Sequence, residues 1–180
     1  MRVITGKARG VLLKTPDGMT TRPTTDRVKE ALFSIIQFEI PGAAVLDLFG
    51  GTGQLGIEAL SRGAKSAVFV DAGESACRLI RENLRRTKLE ADGRVIRSDY
   101  LDYLRRCRET FQIIFLDPPY AEEFLENALK CITEIDILQS GGIIVAERPA
   151  GKELPWEFEG YTRSRDYKYG KTLLTVYRKL

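Results

Sequence analysis

One short stretch has the residue types needed to hold an amine. The apolar residues 113–116 run directly into Asp117, Pro118, Pro119 and Tyr120. The two prolines fix φ and remove two backbone donors, so a strand must end there in a stiff turn. A carboxylate oxygen and the carbonyl of Pro118 can each accept one hydrogen of a nucleobase amine, while Tyr120 can stack on the base. The alternative interpretation is a rigid structural turn with a capping Asp117.

A glycine-rich loop follows an earlier apolar segment. Gly51, Gly53 and Gly56 have the GxGxxG spacing, which lets backbone N–H groups at a helix N-terminus approach a ligand closely. That spacing is typical of dinucleotide sites and also occurs in structural turns. Asp47, four residues before Gly51, would repel a pyrophosphate but suits a cationic ligand. S-adenosylmethionine brings an ammonium and a sulfonium and no phosphate, so it fits this loop.

Two further acids close the next two predicted strands. Asp71 can accept the ribose hydroxyls of a cofactor, a feature shared by NAD and S-adenosylmethionine proteins. Asp99 can hydrogen-bond an adenine amino group, although taken alone it is better interpreted as a helix N-cap. Ligands of open α/β sheets bind at the carboxyl ends of the strands, so these acids indicate one site. The residues predicted to line the cofactor beside them are Phe49, Gly50, Gly51, Gly53, Ala72, Ser98 and Tyr100.

The elements that must position these residues alternate between short apolar runs and amphipathic ones. Strands are predicted at 43–49, 66–72, 93–99, 111–117 and 141–147. Helices are predicted at 24–36, 54–62, 74–88, 100–107 and 122–132. This alternation indicates βαβ units and a parallel, doubly wound α/β sheet. Residues 161–169 and 171–180 flank Gly170 without room for a helix and predict an antiparallel hairpin at the sheet edge.

Composition limits the chemistry. The 180 residues are 43% apolar and contain no histidine, which excludes a Ser-His-Asp triad, an HExxH metal site and any imidazole base. Cys77, Cys107 and Cys131 match no zinc or disulfide pattern, so we expect no metal. No run is long enough for a membrane span and the start lacks a signal-peptide pattern. A cytoplasmic monomer is therefore expected.

Positive charge is concentrated at the start of the chain. Residues 1–30 contain seven Lys or Arg and three acids, a net charge of +4, so the remaining residues sum to −1. A basic segment beside a near-neutral body fits contact with phosphates, through Lys7, Arg9 and Arg22, and a solvated basic surface fits equally well. We expect residues 1–21 to form a basic β-hairpin extension and residues 22–180 to form one globular domain.

The Asp-Pro-Pro-Tyr turn and the aspartate-containing glycine loop together resemble the amino methyltransferases of the Rossmann-like class. The whole chain resembles the bacterial 16S (small-subunit) ribosomal RNA guanine-N2 methyltransferase family. The segments that carry this resemblance are 1–10, 22–34, 47–64, 117–120 and 169–178. The resemblance implies a mostly parallel seven-stranded sheet with an antiparallel C-terminal hairpin, helices on both faces and a small N-terminal β-hairpin.

The resemblance also implies an activity and further site residues. The expected reaction is methyl transfer from S-adenosyl-L-methionine to N2 of a specific guanine, with 16S ribosomal RNA or the small ribosomal subunit as partner. Thr24 and Thr25 would hydrogen-bond the cofactor's carboxylate, and Arg22 would pair with that carboxylate or with an RNA phosphate. Alternatively, Thr24 or Thr25 caps the helix and Arg22 is a surface residue.

The sequence is also compatible with three other functions. An adenine-N6 methyltransferase acting on DNA or RNA would use the same amine-holding turn. A dinucleotide-binding Rossmann protein would use the same glycine spacing. An inactive RNA-binding chaperone would use only the basic start of the chain.

Overall fold

The described parts of the chain form five helices and eight strands. This structure, a computed structural model, describes residues 1–18, 23–119, 123–154 and 157–180, with backbone alone for 23–25 and 157. The helices are α1 (Pro23–Ile35), α2 (Gln54–Ser61), α3 (Glu74–Thr87), α4 (Tyr100–Arg106) and α5 (Phe124–Ile135). The strands are β1 (Ala44–Asp47), β2 (Ser66–Asp71), β3 (Gly93–Arg97), β4 (Phe111–Leu116), β5 (Leu138–Pro149), β6 (Glu157–Phe158), β7 (Tyr161–Tyr169) and β8 (Thr172–Lys179). None of the helices in these ranges combines the length and apolarity needed to cross a bilayer.

All eight strands lie in one sheet, in the order β3-β2-β1-β4-β5-β8-β7-β6. The central strand β1 pairs in parallel with β2 and β4, so that Asp47 stands opposite both Phe69 and Phe115. β3 pairs with β2, and β5 pairs with β4, again in parallel. The first five strands therefore end at the same edge of the sheet. This is the edge where open α/β sheets bind ligands.

Helices cover both faces of the sheet, as predicted. Phe33 of α1, Ile57 of α2 and Ile80 of α3 are fully or almost fully buried in one apolar cluster. Leu104 of α4 and Leu129 of α5 are fully buried in the cluster on the other face. Successive strand residues point to opposite faces, so strands covered on both sides must be apolar throughout. That requirement explains the continuous apolar runs in the sequence.

The C-terminal hairpin lies at the sheet edge, as expected from residues 161–180. β8 pairs antiparallel with β5 on one side and with β7 on the other. The sheet has one strand more than the seven expected, because the two-residue strand β6 adds to β7. The mostly parallel sheet with an antiparallel C-terminal hairpin is thus confirmed.

The N-terminal segment, residues 1–14, packs against the body of the protein. Val3, Ala8 and Leu13 are buried in the same apolar cluster as α1, α2 and α3. One antiparallel bridge joins Arg2 to Leu12, so the predicted hairpin consists of a single bridge with turns between. The predicted boundary between residues 21 and 22 falls outside the described residues, and this division stays a prediction.

A buried carboxylate fastens this segment to α2. Glu58 is fully buried and accepts hydrogen bonds from the backbone N–H groups of Ile4, at 2.9 Å, and Thr5, at 3.1 Å. Arg62 Nε donates to the same carboxylate at 3.0 Å, and Lys29 Nζ lies 3.9 Å from it. Burial lowers the pKa of Lys29, and the charge of Glu58 opposes that change. Glu58 therefore joins the N-terminal segment, α1 and α2 in one buried network.

Candidate active site

Four carboxyl groups stand at the ends of four neighbouring strands. Asp71 ends β2, Asp47 ends β1, Asp117 follows β4, and Glu147 lies near the end of β5. Their charges influence one another: Asp117 and Asp71 raise the pKa of Asp47, and Asp117 raises that of Glu147. The sequence predicted the first three of these groups. Glu147 was not predicted, although it too is an acid that closes a buried apolar run.

The glycine loop has the conformation that its sequence demands. Gly51 and Gly53 have φ values of 59° and 82°, a left-handed backbone that favours glycine. The N–H of Gly50 donates to the carbonyl of Val70 at 2.8 Å, which ties the loop to β2. A Cβ on Gly56 would lie 2.3 Å from the ring of Phe69, so α2 can approach the sheet only with glycine there.

Asp71, at the end of β2, accepts hydrogen bonds from the glycine loop and from the turn that follows its own strand. Its Oδ2 accepts the Gly51 N–H at 3.0 Å, and its Oδ1 accepts the Gly73 N–H at 2.9 Å. Each carboxylate oxygen has a second lone pair. The predicted contact with ribose hydroxyls is compatible with this arrangement and stays a prediction. Ala72, between the two turns, is exposed.

Asp47 is the most deeply buried of these acids. Its Oδ2 accepts the N–H of Gly56 at 3.1 Å, and its Oδ1 is buried without a hydrogen-bond partner among the described residues. Burial raises the pKa of Asp47 to about 8, and the Gly56 hydrogen bond opposes that rise. Gln54, at the start of α2, also has a buried Oε1 without a partner in the described part of the chain. Two buried acceptors without a donor among the described residues suit a ligand that brings N–H groups.

Asp99 caps a helix, which agrees with the alternative interpretation of this residue. β3 ends at Arg97, two residues earlier than predicted, and Asp99 Oδ1 accepts the N–H groups of Leu101 and Asp102 at 2.9 and 3.2 Å. Ser98 Oγ donates to the carbonyl of Asp99 at 2.8 Å. The cap fixes the turn between β3 and α4. The additional contact with an adenine amino group stays a prediction.

Three aromatic rings form a cluster beside the glycine loop. The ring of Tyr100 lies 5.1 Å from that of Phe49 and 5.3 Å from that of Phe124. Tyr100 is buried, and Phe49 is half-buried. The cluster links the turns that follow β1 and β3 with the start of α5. Phe49 and Tyr100 thus lie together beside the glycine loop, and their contact with a cofactor stays a prediction.

Asp117 is half-buried, and the described residues donate no hydrogen bond to its carboxyl group. Burial raises the pKa of Asp117 to about 6. Pro118 is also half-buried and Pro119 is exposed. The turn therefore presents a carboxyl group and a fixed backbone at the edge of the sheet. Tyr120 lies outside the described residues, so its predicted stacking role stays a prediction.

The remaining predicted residues belong to the start of the chain. Lys7 and Arg9 are exposed, and the N–H of Lys7 donates to the carbonyl of Ser61 at 2.8 Å. Arg22 and the side chains of Thr24 and Thr25 lie outside the described residues. Within the described ranges, no group of three or more acidic or cysteine side chains could hold a metal ion.

Comparison with known proteins gives consistent results along the whole chain. A family model described as conserved hypothetical protein 95 matches residues 1–178. YlbH of Bacillus subtilis, named only provisionally as an rRNA methyltransferase, is 43% identical over 99% of both chains. Ribosomal RNA small subunit methyltransferase D of Escherichia coli is 31% identical, over 99% of this chain and 90% of that protein.

Solved structures agree with the sequence comparisons. The Escherichia coli protein yhhF, described provisionally as a methyltransferase, has a TM-score of 0.90 at 29% identity, over 99% of this chain and 97% of that chain. The Rossmann-like fold predicted from the sequence is therefore confirmed. Because the family model spans nearly the whole chain, this protein belongs to the family described as conserved hypothetical protein 95, and it is a relative of ribosomal RNA small subunit methyltransferase D.

Proposed function

We propose that this protein transfers a methyl group from S-adenosylmethionine to N2 of a guanine in small-subunit ribosomal RNA. The observation that carries the proposal is the Asp117-Pro118 turn beside the glycine loop, with a carboxyl group that the described residues leave without a donor. The name of the Escherichia coli relative supports small-subunit ribosomal RNA as the substrate. We further propose that the protein acts as a monomer in the cytoplasm.

The hydrogen-bond acceptors at the edge of the sheet fit S-adenosylmethionine. Asp47 Oδ1 and Gln54 Oε1 are buried acceptors without partners among the described residues, which suits an ammonium group. The backbone of residues 50–53 would lie beside the methionine part, and Asp71 would accept the ribose hydroxyls. Asp99 and the rings of Phe49 and Tyr100 would hold the adenine. Thr24 and Thr25 remain proposed contacts of the carboxylate.

The residues after β4 would act on the base. S-adenosylmethionine supplies an electrophilic methyl group when it is bound. The amine of a nucleobase is a poor nucleophile because its lone pair is delocalised into the ring. Asp117 and the carbonyl of Pro118 accept the two amine hydrogens and so fix the orientation of that lone pair. Positive charge that develops on the nitrogen is stabilised by the same two oxygens, and the methylated nitrogen then becomes neutral by releasing one of its hydrogens to solvent as a proton. Tyr120 would stack on the base.

Methyl incorporation tests the proposal directly. Unmethylated small-subunit ribosomal RNA, alone or within the assembled subunit, is incubated with the protein and methyl-labelled S-adenosylmethionine. The expected product is N2-methylguanine at one position, identified by mass mapping of RNA from cells with and without the gene. N6-methyladenine would support the alternative amino methyltransferase instead. If no label enters either form of the RNA, the proposal is wrong.

Asp47 should make cofactor binding depend on pH. Its pKa of about 8 means that the carboxyl group is mostly protonated at pH 7. A bound ammonium group would favour the carboxylate, lower this pKa and release a proton. We therefore expect affinity to rise between pH 6 and 8, by up to roughly tenfold per pH unit, and to level off above pH 8.

Calorimetry in two buffers of different ionisation enthalpy measures the proton release. Asp47→Asn keeps an acceptor for the Gly56 N–H but cannot ionise, so this variant reports the cofactor's own titration. The difference between the two proteins isolates Asp47. Identical pH profiles would show that the carboxyl group does not meet the ammonium group.

The N-terminal segment should contribute electrostatically to RNA binding. Lys7 and Arg9 are exposed, so neutral variants should leave the fold intact. Lys7→Gln with Arg9→Gln should weaken RNA binding and make the salt dependence shallower, by roughly 0.7–0.9 in the logarithmic slope for each lost phosphate contact. Filter binding over a series of salt concentrations measures this slope. Lys130→Gln removes an exposed charge from α5 and serves as the control. An unchanged slope in the double variant would mean that this segment is only a solvated surface.

A further inference from the structure

Glu147 stands beside Asp117 at the end of the neighbouring strand. Leu116 of β4 is paired with Ala146 of β5, so the next residues, Asp117 and Glu147, lie side by side just beyond the β4–β5 pairing. Glu147 remains within β5, paired with Leu174 of β8. Neighbouring strands lie about 4.8 Å apart. Both side chains line the same pocket. The pocket therefore has two adjacent carboxyl groups on one wall.

The described residues donate no hydrogen bond to either carboxyl group. Arg148 and Lys152 also line the pocket. The guanidinium of Arg148 is directed to other groups, because it donates to Thr175 Oγ1 at 3.0 Å and to Asp166 Oδ2 at 2.9 Å. Glu147 thus keeps its hydrogen-bonding capacity for a ligand.

The two carboxyl groups should share one negative charge near neutral pH. Burial, and then the charge of Asp117, raise the pKa of Glu147 to about 8. Burial raises the pKa of Asp117 to about 6. Two like charges on adjacent strand ends are unfavourable, so one group keeps its proton. The pair accordingly keeps one proton, and the charge of Asp117 favours this proton on Glu147.

We propose that Glu147 recognises the N1–H and O6 edge of the target guanine, accepting one hydrogen bond from N1–H and donating one to O6. This inference rests on the proposed function, which puts the guanine N2 amine at Asp117. N2, N1 and O6 follow one another along one edge of guanine. A guanine whose N2 amine meets Asp117 therefore directs N1–H and O6 towards Glu147 on the adjacent strand. Adenine with its amine at Asp117 has a lone pair at N1 and no oxygen beyond it. Glu147 would therefore select guanine over adenine.

A modified base separates recognition from the reacting amine. 2-Aminopurine keeps the N2 amine but lacks both N1–H and O6. Unmethylated small-subunit ribosomal RNA is prepared with either guanine or 2-aminopurine at the mapped target position. The wild-type protein should methylate the guanine RNA with a kcat/KM roughly 10- to 100-fold higher, since the 2-aminopurine RNA forms neither hydrogen bond to Glu147.

Variants of Glu147 then show whether this side chain causes the preference. Glu147→Ala should lower kcat/KM on guanine RNA about 10- to 100-fold and leave the 2-aminopurine RNA within a few-fold. Glu147→Gln has an amide that both accepts and donates, so it should keep most of the preference. Above pH 8 the wild-type rate should fall, because Glu147 ionises and can no longer donate to O6. The ionisable groups that line the pocket with Glu147 are Asp117, Arg148 and Lys152. The Gln variant cannot ionise and should stay active above pH 8. Glu153→Ala, an exposed control, should behave like the wild type.

Several results would overturn the proposal. If Glu147→Ala keeps the wild-type preference for guanine, Glu147 does not contact this edge of the base. Equal losses on both RNAs would assign it a structural role, which cofactor affinity and the unfolding midpoint would also reveal. If Glu147→Gln and Glu147→Ala lose the same activity on guanine RNA, Glu147 does not act as a neutral carboxyl group that accepts from N1–H and donates to O6. If the wild-type protein methylates neither RNA, the proposed function itself fails, and this outcome is distinct from the other three.

Discussion

Asp117→Ala is expected to lower turnover by roughly 10²–10³-fold while leaving the affinity for S-adenosylmethionine within a few-fold. The carboxyl group would act on the base and on charge that develops during the reaction, so its loss is felt in the transition state. Single-turnover rates with saturating RNA measure the effect, and calorimetry measures cofactor binding. Loss of cofactor affinity in step with activity would mean that Asp117 belongs to the cofactor site.

The Asn variant distinguishes an orienting acceptor from a general base. Asp117→Asn can still accept a hydrogen bond, so it should keep part of the activity if orientation is the main task. The pKa of Asp117 is raised to about 6, so a rate that requires the carboxylate rises with pH through about 6 and then stays level until Glu147 begins to ionise near pH 8. The Asn variant should lack this rise. If the Asn and Ala variants are equally inactive, Asp117 is a general base.

Glu58→Ala should damage the fold strongly, with a loss of about 3–5 kcal/mol in the free energy of unfolding. The substitution leaves the Lys29 ammonium buried without its counter-charge, and it removes the acceptor of the Ile4 and Thr5 N–H groups. A buried charge and two backbone donors would then lack this partner. Urea denaturation followed by circular dichroism measures the loss.

Two matched variants separate the effect of the Glu58 charge from the effect of removing any carboxylate. Glu58→Gln keeps an acceptor for the backbone but removes the charge, so its loss should be intermediate. Glu82→Ala removes an exposed carboxylate that pairs with Lys14 at 3.2 Å, and exposed pairs contribute at most about 1 kcal/mol. A Glu58→Ala protein as stable as Glu82→Ala would show that the N-terminal segment is not held by this network.

The strands and three of the four edge carboxyl groups could be predicted because their signals are local. A short apolar run, followed at once by an acid and within three more residues by glycine or proline, indicates both the strand and the acid at its end. Asp47, Asp71 and Asp117 each follow this pattern. Since parallel strands end at one edge, local signals alone bring these acids together.

The contacts of Glu58 and Gln54 could not be predicted, because they depend on residues far away in the chain or on depth in the fold. Glu58 looks like an ordinary acid within a helical pattern, yet its backbone partners lie 53 and 54 residues earlier. Gln54 opens α2 at a position where local sequence favours only a helix start. Its buried, unpartnered oxygen is visible only when the loop and the helix are packed together.

The row of acids along the sheet edge also makes the binding site a source of instability. The pKa values of Asp47, Asp117 and Glu147 are raised to about 8, 6 and 8 in the folded protein, whereas in an unfolded chain these groups ionise near pH 4. Below pH 4 both states are protonated. As pH rises from 4 towards 8, the unfolded chain ionises first and folding stability falls. A cation bound at Asp47 would reverse part of this loss. The ligand-free protein should therefore unfold at a lower temperature at neutral pH than the protein with its ligand bound.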